Sequence, residues 1–225
     1  MSVKAFSFNS IFSRVLSIGI WLTVGWSKML NKLQAIALLA LRLYLVPPLL
    51  QAGVTKMQHF ADTVAWFGPD GLNLPMPYLL TILAISAEIG GAIGLLIGFA
   101  TRFSAALLAV TMGVAIVTVH WQHGWLAVAD ASSWLANGTI LYDQSVMASG
   151  EKLARAKELL AEHGNYDWLT ASGSFVILNN GIEFAATYLV MLLVLCSQGC
   201  GAYFGLDYWI KQYFQRRGLL NNSAR

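Results

Sequence analysis

Charge is scarce in this 225-residue sequence: Asp, Glu, Lys and Arg make up 11% of it, against 57% hydrophobic residues. A soluble domain devotes about a quarter of its residues to those four types, so this chain cannot coat a water-facing surface of its size. Its mean hydropathy of +0.60 points the same way, to a membrane protein. Intrinsic disorder, which needs high charge and low hydrophobicity, is excluded. Cysteine is scarcer still, with only Cys196 and Cys200. Two thiols cannot staple a disulfide scaffold, and four apart in an apolar run they have the wrong spacing for a CxxC redox or zinc pair. There is no Gly-X-Y period for collagen. The net charge of +3 is too small and too scattered to suggest nucleic acid. No compact basic start, apolar core and small-residue cleavage site follow one another between Met1 and Asn31, so no cleavable signal is expected there. At about 20 residues per span, a chain of this length holds a handful of spans and no large catalytic domain in water.

What the chain does have is long apolar windows. Four are close to membrane length: Leu33 to Val54, Tyr78 to Phe99, Phe103 to Val119 and Ile177 to Cys200. Only Ala100, Thr101 and Arg102 separate the second from the third, which predicts a tight antiparallel hairpin. The stretch Ile11 to Leu30 is also apolar, but Ser, Thr and Gly dilute it, and Arg14, Lys28, Asn31 and Lys32 bracket it. It reads as a helix lying in the interface rather than a fifth span. The expected fold class is an all-α membrane protein: a four-transmembrane-helix bundle with an N-terminal interfacial helix and a helical outer-loop insert. Its segments are an interfacial 1–32, a core of three spans at 33–120, an extracytoplasmic insert at 121–176, the fourth span and its end at 177–210, and a basic tail at 211–225.

Lys and Arg set the orientation. Lys4, Arg14, Lys28 and Lys32 precede the first span, Arg102 sits in the hairpin, and Lys211, Arg216, Arg217 and Arg225 follow the fourth span. The other two connections differ: Lys56, Asp62 and Asp70 lie between the first and second spans, and the loop after the third span carries Asp130, Asp143, Glu151, Glu158, Glu162 and Asp167 against Lys152, Arg155 and Lys157. Both termini and the hairpin are therefore expected in the cytoplasm, with the two acidic loops outside. In the long outer loop, Val146, Leu153, Ala156, Leu159 and Leu160 recur at helical spacing, Glu151 and Arg155 make an i,i+4 pair, and Gly164 offers a C-cap. With Trp121, Trp125, Trp134 and Trp168 as interface anchors, this loop reads as a lid over the outer mouth. Pro69, Pro75 and Pro77 with Gly68 and Gly71 predict an irregular turn in the first outer loop.

Ionisable residues inside spans cost about 2.5 to 3.5 kcal/mol at the centre and are usually kept for function. Glu88 lies near the middle of the second span and Arg42 about nine residues into the first, which puts the two at similar depth. They are expected to form a buried pair. That pair either lines a cavity that binds a polar ligand or relays a proton, or it only fixes register between the spans. At the outer end Lys56, His120, His123, Asn179, Asn180 and Glu183 come from three spans and can converge on one site. His120 and His123, three apart, could ligate a metal with Glu183, take part in redox or proton transfer, or simply face headgroups. Gly90, Gly91, Gly94 and Gly98, with Ser104, Ala105, Ala109 and Gly113, predict close helix packing, with a homodimer seam as the alternative. Cys196 and Cys200 share a face near the cytoplasmic end and are expected as free thiols.

These landmarks resemble the DoxX family of small four-helix membrane proteins. The resemblance rests on LRLYLVPPLLQAGVTKMQHF, with Arg42, Gly53, Lys56 and Phe60. It rests further on ISAEIGGAIGLLIGFATRFSA, with Glu88, Gly90, Gly91, Gly98, Thr101 and Arg102, and on GCGAYFGLDYWI, with Gly199, Gly201, Leu206 and Asp207. It covers roughly residues 33–119 and 177–210, and the Glu-Gly-Gly run followed by Thr-Arg is its most specific part. The resemblance implies a multi-pass protein of a bacterial-type cytoplasmic (inner) membrane linked to redox chemistry. Relatives include a subunit of a thiosulfate:quinone oxidoreductase, components of thiol and oxidative-stress complexes, and a branch associated with copper-related peptide maturation. The expected role is a subunit of a quinone- or thiol-linked redox system that works with a protein partner through the outer loop. In it Glu88 handles a proton, Arg42 orients the ligand, and Lys56, Glu183, Asn180 and Arg102 contribute to binding. A non-enzymatic scaffold and a copper-handling accessory protein are the alternatives. The insert 121–174 is foreign to the short members, so its partner is not implied by the resemblance.

Overall fold

The computed structural model describes residues 8–219, with side chains described for Ser17 and from Leu33 onward. Helix α1 runs unbroken from Phe8 to Gln58. At 1.5 Å per residue its 51 residues reach about 77 Å, more than twice the roughly 30 Å hydrocarbon core. The membrane-length part is Leu33–Gln58, so the first span ends one turn later than hydropathy placed it. The interfacial placement expected for Ile11 to Leu30 depends on side chains that lie outside the described residues. A short α2 (Phe60–Phe67) and an irregular turn follow, and Phe60 packs edge-on against Tyr78 at 5.3 Å. Helix α3 (Pro77–Ile97) then returns antiparallel to α1, and α4 (Thr101–Ala115) reverses again. The chain continues through a π turn (Ile116–His120) and a 3-10 turn (Trp121–His123). The insert carries α5 (Gln144–His163) and α6 (Tyr166–Thr170), α7 spans Glu183–Gln198, and α8 spans Leu206–Arg216.

Among the described residues three helical stretches are long and apolar enough to cross a membrane, Leu33–Gln58, Pro77–Ile97 and Thr101–His123, and α7 is a shorter apolar helix packed among them. The fourth span was expected from Ile177, but the chain becomes helical only at Glu183. Residues before it are extended and pair with the insert: Ala129 N donates to Ile177 O, and Gly181 N to Leu126 O. The four long helices close into a ring, with α3 between α1 and α4, and α7 between α4 and α1. Their shared core is Leu38, Leu45, Leu49, Leu95, Leu108, Leu192 and Leu195 with smaller residues between them. At α1 these positions recur at helical spacing, which is why that helix keeps one face inward.

Small residues set the α3–α4 distance, though not all those expected. A Cβ on Gly91 would come within 2.7 Å of the Leu108 side chain, and one on Gly94 would strike Ser104. Gly90 and Gly113 face open space, so the tight seam is Gly91/Gly94 and not the Gly90/Gly94 pair. The hairpin after α3 needs left-handed backbone at Gly98 (φ 68°) and, unusually, at Ala100 (φ 45°). Its exposed N–H groups are taken by the Asp207 carboxylate, which accepts from Ala100 N at 2.7 Å and Thr101 N at 2.8 Å. The start of α8 thus caps the start of α4. Both cysteines are free, and Cys200 is buried.

The insert has a small core of its own, Leu126, Ala136 and Val146, onto which Trp125 packs. Trp125 therefore is no interface anchor, whereas Trp121, Trp134 and Trp168 are exposed. Asp143 caps α5 by accepting from Ser145 N and Val146 N. The expected Glu151–Arg155 pair is replaced by Arg155–Glu158 at 2.9 Å, an exposed contact worth little.

Replacing Asp207 by Ala removes the α4 cap and should cost about 1 kcal/mol, by the precedent of helix N-caps. Thermal unfolding of the purified protein in detergent should show this as a fall of about 2–4 °C in Tm. An unchanged Tm would mean that the hairpin does not depend on α8.

Candidate functional site

Helices α1 and α3 approach closely at Gly53, where an added Cβ would lie 2.7 Å from Ile89 Cγ1 and 3.0 Å from Glu88 Cβ. One turn further on, Lys56 leans back over this contact. Its Nζ donates to Glu88 Oε1 at 2.8 Å and to Oε2 at 2.7 Å. The Glu88 side chain is 5% exposed and that of Lys56 24%. Among the described residues this is the one carboxylate–ammonium contact inside the bundle, and the other ion pairs lie on exposed side chains. Either charge alone would be costly there, and pairing makes both tenable.

Arg42 is not the partner of Glu88, contrary to the depth estimate from sequence. That estimate took equal depth from span ends that the helices do not share. In the fold Arg42 lies level with the end of α3, and Glu88 to Ile97 is about 14 Å along the helix. Arg42 is fully buried and donates only to main-chain carbonyls: Nε to Leu95 O at 2.6 Å, Nη2 to Leu96 O at 3.0 Å, and Nη1 to Phe204 O at 2.9 Å and Cys200 O at 3.4 Å. The last carbonyls of a helix have no partner within it and carry the negative end of its dipole, so a cation is well placed there. Gly98 leaves the room: a Cβ there would meet Arg42 Nη2 and Gly205 Cα at 2.6 Å.

At the opposite end, under the insert, the predicted polar residues are brought near one another but are mostly engaged with backbone. Glu183 Oε2 accepts from Ala127 N at 3.0 Å, and Asn179 Nδ2 donates to His123 O and Leu126 O. His120 Nδ1 lies 2.8 Å from Asn180 O. A carbonyl only accepts, so that nitrogen carries the proton, and in the neutral ring Nε2 is the bare one. His123 contacts Gln122. No group of three or more His, Cys, Asp or Glu is arranged to hold a metal among the described residues, so the two histidines and Glu183 are not assembled as a ligand set.

Beside His120 lies an apolar cavity of about 200 Å³ between α1, α4 and α7, lined by Pro48, Leu49, Met112, Asn180 and Tyr188 among others. Two features shape it that sequence patterns did not reveal. Pro47 and Pro48, inside α1, cannot donate to the carbonyls of Leu43 and Tyr44 one turn earlier. The third span passes through a π turn at Ile116–His120, which has His120 as its last residue, a distortion common at functional sites.

Arg102 is far from these residues, at the hairpin end, where it lines an open cleft with Thr101, Tyr208 and Lys211. The expected binding residues thus fall in three places: Lys56 with Glu88 in the middle, Glu183, Asn180 and His120 under the insert, and Arg102 at the hairpin.

Residues 37–121 match the family model DoxX. Inner membrane protein YphA of Escherichia coli (strain K12) is 34% identical over 97 residues, which are 43% of this chain and 66% of that protein. The chain thus spans just under two thirds of that relative. No solved structure matches it.

Two outcomes follow from this geometry. Glu88→Leu or Lys56→Met alone leaves a charge without its partner and should destabilise by about 3 kcal/mol, the lower end for a buried pair, while the double variant recovers most of it. Additive losses in a double-mutant cycle of thermal stability would show that the pair is not coupled. Arg42→Lys should not substitute, because one ammonium cannot span carbonyls that three guanidinium nitrogens reach; a loss of about 2 kcal/mol is expected in the same measurement.

Proposed function

The chain is an integral membrane protein of the DoxX family, with its DoxX domain at residues 37–121, and we propose that it is the membrane subunit of a quinone- or thiol-linked redox system in which the Lys56–Glu88 pair handles the proton. The observation that carries this reading is the pair itself, an ionisable couple at the midpoint of α3 in an apolar bundle. A pair that served only stability could be replaced by apolar residues at little cost, so its place in the bundle favours a chemical role. Reducing a quinone takes up two protons with two electrons, and Glu88 can pass a proton while Lys56 compensates the charge it keeps.

The cavity at His120 and Tyr188 suits the ligand class. Its volume of about 200 Å³ is below the roughly 300–1,000 Å³ of pockets that enclose a whole drug-sized molecule, so it would take a single ring and leave any tail in lipid. The Asn180 amide and the Tyr188 hydroxyl can donate to the oxygens of a quinone ring, and the bare Nε2 of His120 can accept from a quinol hydroxyl. The electrons come from a partner protein. Exposed Leu159, Trp168 and Leu169 on α5 and α6 give that partner an apolar surface on the insert. The same surface favours the second reading, a scaffold that docks its partner without taking part in the reaction.

The test is reduction of a short-chain quinone by membranes that hold the protein together with its co-expressed partners, with a thiol as electron donor. Glu88→Gln, which keeps shape and removes the charge, should lower turnover by about 10²-fold or more at equal protein levels. Full activity in both Glu88→Gln and Glu88→Leu would leave the scaffold reading standing.

A further inference from the structure

The fourth span is followed by a helix that carries its apolar side outward. In α8 the residues Leu206, Trp209, Ile210, Tyr213 and Phe214 recur at i, i+3, i+4, i+7 and i+8, and all five are exposed. Tyr203 and Phe204, also exposed, extend the stripe. The half-buried positions are Asp207, Tyr208, Gln212 and Gln215. A helix in water would turn the first set in and the second out. This arrangement belongs to a helix lying in a bilayer surface, its aromatic stripe among the upper acyl chains.

Between α8, the end of α7 and the α3–α4 hairpin lies an open cleft of about 810 Å³. Arg102, Lys211 and Tyr208 line it, together with the backbone at Gly199–Ala202. Gly199 matters to its shape: φ is 76°, and a Cβ there would come within 3.3 Å of Arg102 Nε. Arg216 and Arg217 stand at the far end of α8, the latter over the Tyr213 ring at 4.7 Å. Asp207, the acidic residue in the lining, has its carboxylate oxygens on Ala100 N and Thr101 N. Thr101, also in the lining, keeps a buried hydroxyl with no hydrogen-bond partner. Such an atom is rare unless something outside the chain satisfies it.

We propose that this cleft holds the phosphate of an anionic phospholipid, with Arg102 and Lys211 on the phosphate and α8 lying among the neighbouring chains. Charge complementarity selects the lipid class: the cleft and the end of α8 are basic, and a zwitterionic headgroup brings its own cation to compete with theirs. The level is right as well, because α3 ends at Ile97 and α7 at Gln198, so the cleft opens where the apolar helices stop. The site is independent of the Lys56–Glu88 pair and of the redox reading.

Purified, delipidated protein in detergent would be incubated with phosphatidylglycerol or phosphatidylcholine, and retained lipid counted by native mass spectrometry. Wild type should keep one phosphatidylglycerol with at least about fivefold preference over phosphatidylcholine. Arg102→Gln with Lys211→Gln should abolish the preference, and Arg102→Lys should retain it. No preference in wild type, or the same preference in the double variant, overturns the proposal. So does full displacement of the lipid by millimolar inorganic phosphate, which would make the ligand a free anion. The placement of α8 is read in vesicles of phosphatidylglycerol brominated on its upper chain carbons. The tryptophan quenching lost on Trp209→Phe should equal the share of one strongly quenched ring. No difference between the two proteins would mean that α8 faces water or another protein, and would also overturn it.

Discussion

Helix α3 runs out of its own N–H donors at its last carbonyl oxygens, and the turn that follows reaches only part of them, Gly98 N donating to Leu95 O and Phe99 N to Gly94 O. Arg42, reaching across from α1, takes two of them and also two from the loop after α7. Because each nitrogen of a planar guanidinium points in its own direction, this side chain fixes three segments relative to one another at once. Much at that end follows from it. Gly98 must be a glycine to admit the group, the chain after α7 must turn back over α3, and α8 is thereby brought to where Asp207 caps α4.

With that end closed by Arg42, Glu88 needs another cation, and Lys56 is the one that the α1–α3 contact supplies. Arg42 and Lys56, the two basic residues in the Leu33–Gln58 part of α1, touch different things about four turns apart. Arg42 satisfies backbone and is structural in what it touches. Lys56 and Glu88 satisfy each other in an apolar setting.

Much of the fold was legible in sequence. Membrane residence, the tight hairpin and the first three spans follow from composition and from runs of apolar residues, because the bilayer demands about 20 such residues and leaves few other solutions. The amphipathic α8 was not among the expectations, because its residues straddle the end of the 177–210 segment and the basic tail at 211–225. The site was less legible. Glu88 and Lys56 each stand out, but pairing Glu88 with Arg42 rested on span ends set by hydropathy, and hydropathy averages over many residues. A shift of one turn in register moves a side chain by more than the length of an ion pair. The start of the fourth span failed for a related reason: Ile177 and Leu178 are apolar, yet their backbone groups pair with the insert instead of entering a helix.

The sequence by itself determined that this chain lives in a bilayer, how many apolar segments it has, and which few ionisable residues must be accommodated among them. Those are properties of single residues and of their local averages. Only the tertiary structure decided which charge meets which, that Arg42 serves the backbone while Lys56 serves Glu88, and that His120, the last residue of a π turn, lies beside a cavity. Such outcomes depend on the axial register of packed helices and on where a glycine permits close approach. Both are set by contacts between residues far apart in the chain, and no local pattern encodes them.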